Sequence, residues 1–117
     1  MKTTITKLIL LCCFLFSIGA FAQGKLQTDS IKVYGNCSMC KATIEGALKK
    51  KDGVISKNWN KDSKILMVTY DPAKISIKQI GEKIAEVGYD NQHATAKDET
   101  YKKLHSCCQY ERPKKSN

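Results

Sequence analysis

The chain has 117 residues, 42% hydrophobic and 26% charged, with six cysteines and a formal net charge of +9 at pH 7. That length holds one small core and a tail. The basic balance admits an acidic partner or an anionic surface, but few aromatics are interleaved with the basic residues, which argues against nucleic acid.

Met1–Lys7 carries Lys2 and Lys7 and no acid, Leu8–Phe16 is an unbroken apolar run, and Ala20-Phe21-Ala22 has small residues at both cleavage-determining positions. This pattern predicts a secretory signal peptide over residues 1–22. Its apolar run is shorter than the roughly 20 residues of a spanning helix, so no stable membrane anchor is expected after cleavage. Cleavage removes Lys2, Lys7 and the Cys12-Cys13 pair, leaves a formal charge of about +7, and places the product in a secreted or Gram-negative-type periplasmic setting. Cys37, Cys40, Cys107 and Cys108 remain, in two very local pairs. Closing such short loops would constrain the unfolded chain little, so they suit metal or redox chemistry better than stapling.

Residues 23–28 read as a linker, 29–96 as one domain and 97–117 as a basic tail containing cysteine and histidine. A first strand is predicted over Asp29–Tyr34, ending at a Gly35-Asn36 turn. A helix from Met39 to about Lys50 gathers Cys40, Ile44, Ala47 and Leu48 on one face, and Asp52-Gly53 ends it. Strands at about Val54–Asn60 and Lys64–Tyr70 flank the short loop Lys61-Asp62-Ser63, with Leu66, Val68 and Tyr70 alternating against Ile65, Met67 and Thr69. Ser76, with Gln79 three residues on, opens a second helix with an apolar stripe of Ile77, Ile80, Ile84 and Val87, and Gly88 follows it. Gly81 inside that helix costs about 1 kcal/mol relative to Ala. A weak fourth strand is predicted at about Asn91–Thr95. The order βαββαβ predicts an α+β, ferredoxin-like sandwich: a four-stranded antiparallel sheet with both helices on one face.

The chemistry is concentrated in Cys37-Ser38-Met39-Cys40, where the first strand hands over to the first helix. Two thiols at this spacing can aim both sulfurs at one soft ion or close on each other as a small disulfide. A cysteine in the first turn of a helix lies near the positive end of the helix dipole, which favours the thiolate, the form that binds metal. Soft thiolates select Cu(I), Hg(II), Zn(II) or Cd(II) over hard cations. Two thiolates satisfy a near-linear Cu(I) or Hg(II) ion and leave Zn(II) short of its usual four ligands. The loop position predicts an open surface site that a partner thiol can enter.

The run Tyr34-Gly35-Asn36-Cys37-Ser38-Met39-Cys40-Lys41-Ala42-Thr43-Ile44-Glu45 resembles the signature of heavy-metal-associated domains. Those include copper chaperones, metal-binding domains of copper-transporting P-type ATPases and periplasmic mercury-binding proteins. The resemblance covers roughly residues 30–96 and extends to Ala47-Leu48, Gly53-Val54, Val68-Thr69-Tyr70-Asp71-Pro72 and Gly88-Tyr89-Asp90. It implies Cys37 on the metal loop, Cys40 at the helix start, and Tyr89 beside the metal as in bacterial copper chaperones. Asn36 departs from the pattern, standing where most members carry a methionine that packs beneath the loop. Lys57 departs at a strand position that is usually apolar and is expected to snorkel at the sheet edge.

In the tail, Asp98 is predicted to cap a short helix that puts Tyr101, Leu104, His105 and Cys108 on one face. His105, Cys107 and Cys108 supply an imidazole and two thiols within four residues, an auxiliary metal set acting alone or folding back onto Cys37 and Cys40. His93 reads as a surface residue, and Arg112-Pro113-Lys114-Lys115 as a solvated basic end. The sequence therefore predicts an exported soft-metal carrier without enzymatic activity, binding Cu(I) first and Hg(II), Zn(II) or Cd(II) next. Its expected partner is a metal transporter or another thiol-bearing metal-binding domain with an acidic surface. The competing reading is a small thiol–disulfide oxidoreductase, against which the chain is short and shows no proline opposite the cysteine pair.

Overall fold

A computed structural model describes residues 25–114, so the expected leader lies outside the described residues. Strand β1 (Gln27–Lys32) starts two residues earlier than expected, and β2 (Val54–Trp59) and β3 (Ile65–Tyr70) form the hairpin. The order is β1-β3-β2, antiparallel throughout, with Ile31 opposite Leu66 and Trp59 opposite that same residue from the other side. Asn60 shapes the hairpin loop: its Oδ1 accepts the Asp62 and Ser63 N–H groups at 2.8 and 3.0 Å.

Alternation along the strands turns Ile31, Leu66, Val68 and Tyr70 inward, where they share a core with Ile44 of α1 (Ser38–Gly46), Leu48 just beyond it, and Ile80 and Ile84 of α2 (Ile77–Glu86). Helix α2 begins as its sequence predicts. The Ser76 hydroxyl accepts the Gln79 N–H at 3.1 Å, and the Gln79 side chain accepts the Ser76 N–H at 2.9 Å. Gly88 follows at a φ of +105°, a left-handed conformation that glycine adopts without strain.

Helix α1 is shorter than its predicted extent to Lys50. It stops at Gly46, and Lys49 turns extended before a 3-10 turn over Lys50–Asp52. The break lets Leu48 stay fully buried, and Lys57 reaches across to donate to the Leu48 carbonyl. That contact gives the unexpected strand lysine its place, with its charge used on a carbonyl just beyond the helix end.

The predicted fourth strand does not form, and the sheet has three strands among the described residues. Val33 and Asn91 make an isolated antiparallel bridge, flanked by Tyr34 N–H to Asp90 O at 2.9 Å and Gln92 N–H to Lys32 O at 3.0 Å. The chain then folds back, because Asn91 Oδ1 takes the His93 and Ala94 N–H groups at 3.0 and 3.2 Å. This side-chain turn ends the ladder after one bridge. Gly81 explains itself here: a Cβ would lie 2.6 Å from Asn91 Oδ1 and 2.7 Å from His93 Cβ. Its carbonyl also accepts the Asn91 side-chain N–H at 2.8 Å, so the helical glycine is a docking surface for this turn.

The tail packs onto the domain. Helix α3 (Asp98–Lys102) starts after Lys97, not from an Asp98 cap, because Asp98 turns to Arg112 at 2.6 Å. Tyr110 is buried, stacks on Tyr89 with centroids 5.5 Å apart, accepts the Asp90 N–H at 2.7 Å and donates to the Gly88 carbonyl at 2.8 Å. Arg112 is no solvated end: it holds the buried Asp90 carboxylate through Nε at 2.7 Å and Nη2 at 3.0 Å. It also donates to the Ala96 carbonyl at 2.7 Å and lies over the Tyr101 ring.

Candidate metal centre

The loop after β1 rests on Trp59. Its indole N–H donates to the Val33 carbonyl at 3.0 Å, and its ring passes under Gly35, where a Cβ would come within 2.9 Å of it. Where the family pattern has a methionine beneath the loop, this chain uses a tryptophan from β2. Asn36 instead lies exposed and its Oδ1 accepts the Cys40 thiol at 3.2 Å.

Cys37 is the N-cap of α1. In an extended conformation, it turns its sulfur back to accept the Cys40 N–H at 3.4 Å, which occupies one of the orphan donors of the helix start. The Cys37 and Cys40 sulfurs lie 3.2 Å apart as free thiols. Burial alone would raise the Cys37 pKa. The Cys40 and Cys108 thiols beside its sulfur, with the Cys40 and Met39 N–H groups, outweigh it and lower the value to about 7. The shift favours the thiolate, the nucleophilic and metal-binding form.

Of the tail residues, the structure brings one to the loop. Cys108 is buried with its sulfur 3.6 Å from that of Cys37, and the Cys37, Cys40 and Cys108 sulfurs all lie within 4.8 Å of one another. Burial first, then its three cysteine neighbours, push the Cys108 thiol up to about 12. Cys107 stays on the exposed rim, 3.7 Å from Cys108 and 3.6 Å from the Met39 thioether. His105 is exposed and outside the sulfur cluster. The predicted shared face fails because α3 ends at Lys102, and a 3-10 turn over Ser106–Cys108 rotates Cys108 inward.

The expected open surface site is thereby corrected. Cys37 is half-buried and Cys40 fully buried, in a core to which Cys108 and Tyr110 contribute. Tyr89 is fully buried under the cluster, and its hydroxyl is the one buried side-chain oxygen or nitrogen without a hydrogen-bond partner among the described residues. Burial, then the Cys40 and Cys108 thiols, hold this phenol well above its ordinary range. Trp59, Tyr110 and Arg112 were not singled out as site residues from sequence. A lone tryptophan in a predicted strand and a Tyr-x-Arg near the C-terminus were the available signals.

Such an arrangement can bind one soft cation through sulfur or exchange thiols, and its chemistry agrees with what the chain is similar to. The model of the heavy-metal-associated domain matches residues 36–90. A copper chaperone, CopZ of Staphylococcus aureus (strain JH9), is 36% identical over 55 residues, which cover 47% of this chain and 81% of the chaperone. A zinc-transporting ATPase of Synechocystis sp. is 40% identical over 65 residues, 55% of this chain but 9% of the ATPase, so the chain spans about a tenth of that relative. Among solved structures, oxidized MerP from Ralstonia metallidurans matches with a TM-score of 0.54 and 30% identity, over 58% of this chain and 96% of MerP. A mercury-bound form of MerP, the periplasmic protein of the bacterial mercury detoxification system, matches at 28% identity and a TM-score of 0.50, over 57% of this chain and 94% of MerP. With most of the chaperone's length covered at that identity and a cysteine pair at the loop–helix junction, the chain belongs to the heavy-metal-associated domain family.

Proposed function

We propose that this protein is an exported carrier of a soft metal ion, Cu(I) foremost, which it binds through Cys37 and Cys40 and hands to another thiol-bearing domain. The observation that carries the reading is the 3.2 Å pair of thiols at the start of α1, one of them with its pKa lowered to about 7. Paired soft ligands favour Cu(I) and Hg(II), then Cd(II) and Zn(II), over hard cations. The likeness to a copper chaperone supports copper, and the likeness to MerP supports Hg(II) and a periplasmic location. The leader pattern of residues 1–22 supports export. A metal-transporting ATPase domain is the partner class that the third likeness supports, met through the basic surface of this chain. The metal here is cargo, and the protein turns nothing over.

An anaerobic Cu(I) competition titration of the reduced chain tests this reading. One tight equivalent is expected, and it should be lost when Cys37 and Cys40 are both replaced by serine. Unchanged affinity in that variant overturns the assignment. The Cys37 thiol, activated near neutrality, also favours a second reading as a thiol–disulfide oxidoreductase. Cys37-dependent turnover in an insulin-reduction assay would establish it, whereas the carrier should show metal exchange and negligible reduction.

A further inference from the structure

Cys108 lies 71 residues from Cys37, yet the fold carries its sulfur to 3.6 Å. Two anchors on its flanks fix it there. On the N-terminal side Leu104 sits on Gly88, within 3.1 Å of where a Cβ would stand. On the C-terminal side Tyr110 is hydrogen-bonded into Gly88 and Asp90, and Arg112 clamps the Asp90 carboxylate. A segment held this way is a built wall of the site.

The spacing of the sulfurs discriminates between coordination numbers. With metal–sulfur bonds of about 2.3 Å, a linear two-sulfur ion needs its sulfurs about 4.6 Å apart, and a trigonal three-sulfur ion needs them about 4 Å apart. Cys37 and Cys40 stand at 3.2 Å, well short of the linear span. The two separations from Cys37, 3.2 Å to Cys40 and 3.6 Å to Cys108, with all three sulfurs within 4.8 Å of one another, lie nearer the trigonal spacing than the linear one. A second observation points into the same place. The Tyr89 hydroxyl, fully buried and without a well-formed hydrogen bond, has the Cys40 and Cys108 thiols as its polar neighbours. Thiol sulfur is a weak acceptor, whereas a metal-bound thiolate accepts an O–H well.

We propose that Cys108 is the third ligand of the soft-metal site, closing a trigonal Cys37–Cys40–Cys108 set whose sulfurs receive the Tyr89 O–H. Each thiol that ligates gives its proton to solvent as its sulfur–metal bond forms. Cys107 and His105 are not ligands of this ion. Release to a partner then requires the 97–112 segment to lift or an incoming thiol to displace Cys108, so the protein retains its cargo longer than a two-cysteine carrier would. The inference rests on the proposed Cys37–Cys40 function and deepens it.

The test uses residues 23–117, which contain every described element, reduced, loaded anaerobically with one Cu(I) and monomeric by size exclusion. X-ray absorption should count three sulfurs in the parent and in Cys107→Ser, and two in Cys108→Ser and Cys108→Ala. Removal of Cu(I) by bicinchoninate should be at least 10-fold faster in both Cys108 variants. Circular dichroism checks the fold, and the alanine variant is read if the buried serine unfolds the chain. Two sulfurs in the parent, or an unchanged count and removal rate without Cys108, overturns the third ligand while leaving Cys37 and Cys40 in place. Failure of the parent to take up Cu(I), or equal uptake by the Cys37→Ser/Cys40→Ser variant, overturns the underlying function and this inference together.

Discussion

Replacing Arg112 by alanine removes the clamp that holds the tail against the domain. The Asp90 carboxylate is 2% exposed and takes two guanidinium bonds at 2.7 and 3.0 Å, leaving only the Ala96 N–H at 2.7 Å once the arginine is gone. Removing one partner of a buried ion pair costs about 3–5 kcal/mol, since it strands a desolvated charge. The lower end applies, because the Ala96 bond survives and the Arg112 side chain is one-fifth exposed. A loss of about 3 kcal/mol in a domain of this size lowers Tm by roughly 12–24 °C. Thermal and urea unfolding of the reduced, metal-free protein, followed by circular dichroism, measure it. Arg112→Lys should fall between, because an ammonium cannot bridge Asp90, Asp98 and Ala96 as the planar fork does. A cost below about 1 kcal/mol for the alanine variant would refute the reasoning and return the tail to a loosely attached extension.

Three further outcomes are expected. Gly81→Ala should destabilise by about 1–3 kcal/mol despite alanine's better helix propensity, because the new methyl meets Asn91 and His93; stabilisation in urea unfolding would contradict the docking role given to this glycine. Gly35→Ala should push against the Trp59 ring and the Cys40 Cβ, at a cost of about 1–3 kcal/mol, with weaker Cu(I) retention in the same chelator assay; unchanged retention would disconnect Trp59 from the metal loop. Iodoacetamide labelling of Cys37 should rise as pH climbs through about 7 and fall below it, while Cys108, pushed up to about 12, stays unreactive between about pH 7 and 9. Peptide mass mapping reads both, and a Cys37 midpoint near the ordinary 9.0 would show that the helix-start hydrogen bonds do not act as described.

The parts of this protein legible in its sequence are those governed by local rules. The Ser76–Gln79 capping box, the alternation of Leu66, Val68 and Tyr70, and the placing of Cys37 and Cys40 at a strand–helix junction follow from spacing. What escaped is non-local or decided by one side chain. Asn91 reads as the start of a strand, but its amide takes two backbone N–H groups and bends the chain away. The helix period through Tyr101, Leu104, His105 and Cys108 is genuine in sequence. It ceases to describe the fold once Gln109 donates to the Lys102 and Leu104 carbonyls and the chain turns. Arg112 sits in a basic run, and only the buried Asp90, 22 residues earlier, distinguishes it from its neighbours. Trp59 falls within the predicted second strand, but its place as the floor of the loop depends on the Gly35 backbone lying over its ring.

The central claim, that a soft ion is held at the start of α1, is tested most directly by anomalous diffraction from crystals of the reduced protein grown anaerobically with Cu(I). The account predicts a single strong copper peak within about 2.3 Å of both the Cys37 and Cys40 sulfurs. A copper peak at His93, His105 or another surface group, with the Cys37 and Cys40 sulfurs unoccupied or joined as a disulfide, would contradict it.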